Sequence, residues 1–496
     1  MIRGVIKNIG WLTIFQFALL ALNFFLLPYY VKMVGIDGYG IYSLINRFLD
    51  YVILFQMGVA PTIVYFVSHL KSDVDEENAR AIVAVGLSIQ ILAGCIIGLF
   101  FYFFRSEISC FFTSGDSVGK LMDGLIVGSL NLLVIMVTEV FFSILKGLNY
   151  FSIYSFLIFM RSLMSSVLIL IFLYNGYDVV YMFVARLISA SLVMVLSVLV
   201  VYYYARCLLR LGWFKFREVK CFFDFASWVV CSRFCRVFIA SFPTVIVGRF
   251  VGVEGVGVYS IITQLMGVIN SVLGNALQVF FPLVGKLSRN DNTVRNKIYM
   301  LANEVVSILT TPVFVLLVVY AGVVLEMWVG REVAGVGADP LRIMVVAYYL
   351  SSLTIIPSNF MLGTNNVKLL ALVNIVQCFV MAAFVSFLVS RFGLMGGAVG
   401  IVVVEAVFVL SIVYFNRRIM VCDNVQFFLF DRVKYLGVCV LLSALALYWY
   451  NPLSLHEESI LSFLIAISLV GGVQLVVSVL LSSKVIKDEL IKIVRR

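Results

Sequence analysis

The sequence predicts an all-α protein that crosses a membrane about fourteen times. Of its 496 residues, 63% are hydrophobic and only 12% are charged, whereas soluble domains carry about twice that charged fraction. The apolar residues recur in windows of about 20 along the whole chain, which is the length of a membrane-spanning helix. Most of the surface of such a chain must therefore face lipid.

The apolar windows place the predicted spans along the chain at short intervals. The first window is too long for the apolar region of a cleavable signal and lacks its small-residue cleavage site, so it is the first predicted span. The loops are short, and no soluble domain is expected on either side of the membrane. The approximate spans are 8–33, 40–67, 81–104, 121–145, 152–175, 179–205, 223–248, 256–284, 297–322, 340–362, 367–390, 394–416, 434–450 and 459–482.

The basic residues predict the orientation of these spans. With the N-terminus in the cytoplasm, about 24 of the 36 Lys and Arg residues fall in inside loops and about 7 in outside loops. Both termini are therefore predicted to be cytoplasmic. The net charge of +10 is explained by topology and by attraction to anionic lipids, so no nucleic-acid partner is expected.

An internal repeat divides the sequence into two similar halves. VKMVGIDGYGIYSL (Val31–Leu44) matches GRFVGVEGVGVYSI (Gly248–Ile261), and Gly176 matches Gly393 at the same offset. The offset covers six helices, so both halves enter the membrane in the same sense. Such parallel repeats are related by an axis along the membrane normal, and substrate sites lie between them.

The repeat predicts the domain organisation and a mechanism. We expect an N-lobe over 1–210, a C-lobe over 211–420, and two additional transmembrane helices with a cytoplasmic tail over 421–496. Two similar six-helix bundles can rock about a central cavity, which is alternating access.

Charged residues inside spans are costly and are candidates for function. Arginine keeps its charge, and its planar fork matches phosphate oxygens, so a positively charged cavity indicates a phosphate-bearing substrate. The candidate substrate-binding residues are Arg47, Arg161, Arg186, Arg233 and Arg236. The candidate ion-coupling residues are Asp50, Glu139, Glu304 and Glu405.

Structural interpretations of these charges stay open. Arg47 and Asp50 are three residues apart and can form a structural ion pair, while Arg186 and Glu304 can reach a membrane interface. No metal site or cofactor is expected, because the nine cysteines form no CxxC pair and the chain has two histidines. Nothing in the sequence matches a phosphate-binding Walker loop, so ATP hydrolysis is not expected.

Several motifs resemble those of a known family, the polysaccharide exporters. This family is the branch of the multidrug/oligosaccharidyl-lipid/polysaccharide (MOP) superfamily that includes the O-antigen flippases. The resemblance covers nearly the whole chain through loose motifs, which are Pro28, Val34-Gly35, Gly38-Tyr-Gly40, Gly58, Leu145-Lys-Gly147, Pro243–Gly252, Gly255-Val-Gly-Val-Tyr259 and Pro282.

The resemblance implies two six-helix bundles in a V around a central cavity, in a bacterial inner membrane. It implies a flippase rather than an enzyme, which turns an undecaprenyl-pyrophosphate-linked oligosaccharide from the cytoplasmic to the periplasmic leaflet for surface polysaccharide (lipopolysaccharide) biosynthesis. The implied partners are the lipid-linked oligosaccharide, membrane lipids and other polysaccharide-assembly membrane proteins. Cationic cavity residues are a property of the family, and we assign that role here to Arg47, Arg161, Arg233 and Arg236.

Two other classes of function are alternatives to this one. A multidrug or cation antiporter on the same scaffold is the main alternative, but organic cations favour an acidic, aromatic cavity. A membrane glycan polymerase or ligase needs positioned acid–base groups, commonly on long outer loops. The outer loops here are short, and the polar cluster His456-Glu457-Glu458 is more typical of a solvated loop.

Overall fold

The computed structural model describes the chain over residues 2–52, 59–68, 73–209, 227–277, 292–363, 367–418, 425–450 and 460–482, and within these ranges it is helical without any strand. Helices suit this sequence because in lipid every backbone N–H and C=O must be satisfied within the protein. The helices are α1 (Ile2–Val52), α2 (Val59–Ser68), α3 (Asp73–Phe112), α4 (Asp116–Gly147), α5 (Phe151–Tyr174), α6 (Val180–Ala205), α7 (Ser227–Phe250), α8 (Val253–Leu277), α9 (Asn292–Trp328), α10 (Arg331–Gly363), α11 (Val367–Val380), α12 (Ser386–Arg418), α13 (Val425–Tyr450) and α14 (Ile460–Leu480).

Within the described residues, each predicted span overlaps one of these helices or part of a kinked one, except 40–67, which overlaps the end of α1 and most of α2. Residues 53–58 of that span, 223–226 of the seventh span and 278–284 of the eighth lie outside the described residues. Among the described residues, nine helical segments are long and apolar enough to cross a membrane. Two of them, Ile14–Tyr51 and Lys368–Ile412, are 38 and 45 residues long, about twice the length that one crossing needs. They are broken at Gly35 and Gly393, whose φ angles are 78° and 56°.

The two parts of α1 run in opposite directions. The part after Gly35 runs parallel to α4, because Ile45 packs against Gly124 and Leu49 against Gly128. The part before Gly35 runs parallel to α5. Phe15 contacts Phe159, and Tyr30, later in α1, interacts with Ser166, later in α5. Since α4 and α5 form an antiparallel hairpin through a tight turn at 148–150, α1 contains two antiparallel crossings.

The chain divides into two compact units, Met1–Ser260 (the N-terminal unit) and Ile261–Arg496 (the C-terminal unit). Ile63, Val140 and Phe142 lie in the core of the N-terminal unit, and the ring of Phe360 packs edge-on against Tyr299 in the C-terminal unit. The first unit extends past residue 210 and includes α7, so the predicted division at 1–210, 211–420 and 421–496 stays a prediction.

The C-terminal pair α13 and α14 is held together by buried polar side chains. Gln474 donates hydrogen bonds to the Ser443 hydroxyl at 2.7 Å and to the Cys439 carbonyl at 2.9 Å. Tyr435 of α13 is buried with Ile308 of α9. The pair is therefore packed on α9 within the C-terminal unit.

The backbone confirms the internal repeat found in the sequence. Gly35 and its equivalent Gly252 have φ angles of 78° and 94°, and Gly176 and its equivalent Gly393 have 79° and 56°. A side chain is strained in this left-handed region, which explains glycine at all four positions. Equivalent positions thus terminate equivalent helices in both copies.

The two copies of the repeated motif also meet each other through backbone. A Cβ on Gly40 would lie 1.9 Å from the carbonyl oxygen of Val253, and a Cβ on Gly257 would lie 2.4 Å from that of Ile36. Gly40 is equivalent to Gly257, and Ile36 to Val253, so the contact between α1 and α8 is pseudo-twofold symmetric. Only glycine allows helices to approach this closely.

Replacement of Gly40 by alanine should therefore destabilise the protein. The Cβ would overlap the Val253 backbone, and overpacking of this kind costs about 1–3 kcal/mol. We expect a clear drop in the thermal unfolding midpoint of the detergent-purified variant. Gly267→Ala is the matched control, since no atom lies within 4 Å of a Cβ there, and equal midpoints for the two variants would contradict the close contact.

Candidate functional site

Arg186 of α6 reaches across to the second crossing of α1. Its guanidinium donates hydrogen bonds to the Asn46 amide oxygen and, at 3.3 Å, to the Tyr42 hydroxyl. Tyr42 also places its ring 5.1 Å from that of Phe183, one turn from Arg186. Arg186 is half-buried and bound to neutral partners, so its charge is held in place without being neutralised.

Arg47 and Asp50 lie beside this contact on the same helix. They form an ion pair at 3.2 Å, with 25% and 35% of the two side chains exposed. Asp50 also interacts electrostatically with Ser241 of α7. Arg47 and Asp50 therefore form the ion pair that the structural interpretation expects. The carboxylate of this pair neutralises Arg47, and it is not paired with Arg186.

Arg161 of α5 lies in the interior of the membrane-spanning region. It is ten residues after the start of α5, or about 15 Å along the helix at 1.5 Å per residue. It interacts electrostatically with Arg186, which repels it, and with Glu139, which attracts it. Among the described residues, no carboxylate lies within salt-bridge distance of its guanidinium, so Arg161, like Arg186, keeps its charge without an ion-pair partner.

A second ion pair lies where α4 ends. The Lys146 ammonium donates to the Glu139 carboxylate at 2.6 Å, and it lies 4.3 Å from the centre of the Tyr154 ring on α5. Glu139 and Tyr154 both also interact electrostatically with Arg161. The pair is thus connected to the arginines through α5.

We call these six side chains the basic cluster: Arg47, Asp50, Glu139, Lys146, Arg161 and Arg186. All belong to α1, α4, α5 and α6 of the N-terminal unit. Four cations and two carboxylates leave a formal excess of two positive charges. A membrane-embedded cluster of this sign attracts an anion, and guanidinium groups bind phosphate oxygens with paired hydrogen bonds.

Of the other predicted site residues, Arg233 and Arg236 belong to α7, and Glu304 and Glu405 belong to the C-terminal unit. Arg236 of α7 is exposed, and the side chain of Arg233 lies outside the described residues. In the C-terminal unit, Glu304 is buried and accepts a hydrogen bond from Tyr435 at 3.1 Å. Glu405 of α12 is half-buried.

Several residues of the site were not identified from the sequence. Tyr42 and Asn46 are uncharged, so a prediction based on charges inside spans does not include them. Their i, i+4 spacing nevertheless places two polar groups on one helix face. Tyr30, which hydrogen bonds to Ser166, was missed for the same reason. Lys146 lies one residue beyond the predicted span 121–145, so it is not among the charges inside spans.

The fold and this site define a polytopic α-helical membrane protein with charged side chains grouped inside its N-terminal unit. Residues 5–288 match the family model described as "Polysaccharide biosynthesis protein", and the chain belongs to this family. A candidate O-antigen transporter from Shigella flexneri is 21% identical over 408 residues, which cover 80% of this chain and 94% of that protein.

Solved structures with the same fold are 16% identical to this chain. The lipid II flippase MurJ in an inward closed conformation aligns with a TM-score of 0.72 over 98% of this chain and 100% of its own. An inward-facing multidrug resistance MATE family transporter of the MOP superfamily aligns with a TM-score of 0.71 over 80% and 94%. A MOP superfamily transporter from Pyrococcus furiosus, described by a reversed polarity of its binding pocket, aligns with 0.55 over 84% and 94%.

The contact between Arg186 and Asn46 should be energetically coupled. Hydrogen bonds to charged groups contribute about 1.5–3 kcal/mol, so a double-mutant cycle with Asn46→Ala and Arg186→Met should give a coupling of more than about 1 kcal/mol in unfolding free energy. The control cycle uses Lys120→Met and Asp178→Ala, an ion pair with 41% and 43% exposed side chains, where about 0–1 kcal/mol is expected. Additive effects of the first two substitutions would contradict the contact.

Proposed function

We propose that this chain is a flippase that moves an undecaprenyl-pyrophosphate-linked oligosaccharide from the cytoplasmic to the periplasmic leaflet of a bacterial inner membrane. The observation that carries this proposal is the basic cluster, which has an excess of two positive charges on α1, α4, α5 and α6. A diphosphate is the part of such a lipid that a cationic cluster would recognise. Family membership in polysaccharide biosynthesis supports a glycan-bearing substrate.

The binding mode follows from what each part of the substrate prefers. The prenyl tail stays in lipid, while the diphosphate and sugars need a polar path through the membrane. Arg161 and Arg186 are the best candidates for the phosphate oxygens, because neither has a carboxylate within salt-bridge distance among the described residues. Arg47 has Asp50 as its first partner, so its role would be to hold the local field positive.

Movement of the headgroup would use the two-lobe organisation that the repeat predicts. The N-lobe (1–210) and the C-lobe (211–420) would rock about a central cavity, with 421–496 as additional helices and a cytoplasmic tail. The distribution of Lys and Arg supports cytoplasmic termini. Coupling to an ion gradient would require a carboxylate that exchanges protons or sodium, and Asp50, Glu139, Glu304 and Glu405 are the candidates. Other polysaccharide-assembly membrane proteins are candidate partners.

A multidrug or cation antiporter is the second candidate, since a MATE family transporter shares the fold. An organic cation would be repelled by the net charge of the basic cluster. The sign of that charge is therefore the reason to prefer the anionic lipid substrate.

Neutralising Arg161 should impair leaflet inversion in proteoliposomes. The assay follows a pyrophosphate-linked prenyl oligosaccharide with wild type, Arg161→Gln, and Arg391→Gln as a control that removes the charge of an exposed arginine on α12. Loss of one charge-assisted hydrogen bond should slow inversion about 10- to 100-fold, and the control should match wild type. An Arg233→Ala/Arg236→Ala variant measures separately whether α7 contributes.

Two outcomes would contradict the proposal. Absence of inversion by folded wild type, tested with an imposed ion gradient, would favour the cation antiporter. Equal rates for wild type, Arg161→Gln and the α7 variant would leave inversion in place but remove the arginines from the site.

A further inference from the structure

The contact between Glu139 and Lys146 is unusual for a lysine at a helix end. Lys146 is the second-last residue of α4, where a lysine ordinarily extends its ammonium to water or to the last carbonyl groups. Here the ammonium instead points back along α4 and contacts Glu139, seven residues earlier, at 2.6 Å. Only 21% of the lysine and 24% of the glutamate side chain is exposed.

Tyr154 gives the same ammonium a second partner from the neighbouring helix. The ring centre lies 4.3 Å from the Lys146 nitrogen, and the tyrosine also interacts electrostatically with the ammonium. A cation held over an aromatic ring keeps a favourable contact when its carboxylate leaves. Lys146 therefore does not depend on Glu139 alone to stay in position.

Glu139 lies between two cations of the basic cluster. It is paired with Lys146 and attracts Arg161 electrostatically. Tyr154 and Arg161 are seven residues apart on α5, as Glu139 and Lys146 are on α4, and the two helices are antiparallel. The carboxylate thus occupies the place in the cluster where an external anion would be bound by both helices.

We propose that Glu139 is a placeholder anion and that Lys146 is a substrate-binding residue for the diphosphate. In the substrate-free protein Glu139 neutralises Lys146; when the lipid diphosphate arrives, its oxygens replace the carboxylate beside Lys146. This assignment rests on the proposed function and adds two roles to it. It gives Glu139 a part in substrate binding rather than in ion coupling.

The proposal predicts that neutralising Glu139 and neutralising Lys146 change the affinity for diphosphate in opposite directions. Removing the charge of Glu139 leaves Lys146 without its competitor, so diphosphate binding should become tighter. Removing the charge of Lys146 deletes a contact to phosphate, so binding should become weaker. A structural ion pair predicts no such opposition, because the loss of either member breaks the same contact.

The experiment measures binding of sugar-free undecaprenyl diphosphate to the purified full-length chain by native mass spectrometry in detergent. We expect E139Q to lower the apparent Kd about threefold to tenfold and K146Q to raise it about tenfold, which is the effect of one contact to a charged group. K146R should keep binding near the wild-type level, and undecaprenyl monophosphate should bind less tightly to every variant. The thermal midpoint of each variant verifies folding.

E76Q is the matched control. Glu76 is paired with Arg80 on α3 in the same unit, with 29% and 28% of the two side chains exposed, and neither belongs to the basic cluster. Loss of this carboxylate should leave the Kd unchanged, which separates a local effect of Glu139 from a general effect of net charge.

Several results would overturn the proposal. Weaker or unchanged binding by E139Q would exclude a placeholder role, and unchanged binding together with loss of gradient dependence would make Glu139 an ion-coupling residue. Equal drops in thermal midpoint for E139Q and K146Q without a change in Kd would make the pair structural. Because the assay requires no translocation, opposite Kd shifts in a protein that fails to invert the lipid would contradict the proposed function while supporting this assignment.

Discussion

A charged side chain in hydrocarbon needs polar partners, and this requirement explains the arrangement of the N-terminal unit. Arg186 cannot lose its proton, so it requires hydrogen-bond acceptors at membrane depth. The structure supplies them from a different helix, through Asn46 and Tyr42. These partners satisfy the hydrogen bonds of the arginine without cancelling its charge.

The close backbone contact between the repeats is the other constraint on the fold. Gly40 of α1 lies against the backbone carbonyl of Val253, and Gly257 of α8 lies against that of Ile36, so the two glycines allow α1 and α8 to approach closely. The shared framework of the two copies is therefore made of glycine and backbone, while the charges differ between them. Arg47 has Gln264 at the equivalent position of the second copy, so the basic cluster is a specialisation of the first copy rather than a part of the scaffold.

The parts of the structure that the sequence could predict depend on local properties. Hydropathy alone predicted apolar segments that overlap the described helices, because the length of a crossing is set by the bilayer. The repeat in the sequence paired Gly35 with Gly252 and Gly176 with Gly393, and the structure shows that all four have positive φ angles. The rule that intramembrane charges are functional candidates identified five of the six members of the basic cluster.

The remaining features depend on packing between distant segments. Nothing in the local sequence shows that Asn46 meets Arg186, 140 residues later in the chain, because that contact requires the positions of α1 and α6. Lys146 lies one residue beyond a predicted span, and only its direction in space links it to Glu139. Conversely, Arg236 had a favourable position in its span but is exposed on α7.

A structure of the protein with undecaprenyl-diphosphate-linked oligosaccharide bound would test the central claim most directly. The account predicts phosphate oxygens at charge-assisted hydrogen-bond distances of about 2.7–2.9 Å from the guanidinium groups of Arg161 and Arg186, between α5 and α6 of the N-terminal unit. A diphosphate held away from both arginines, for example by α7 or by the C-terminal unit, would contradict it.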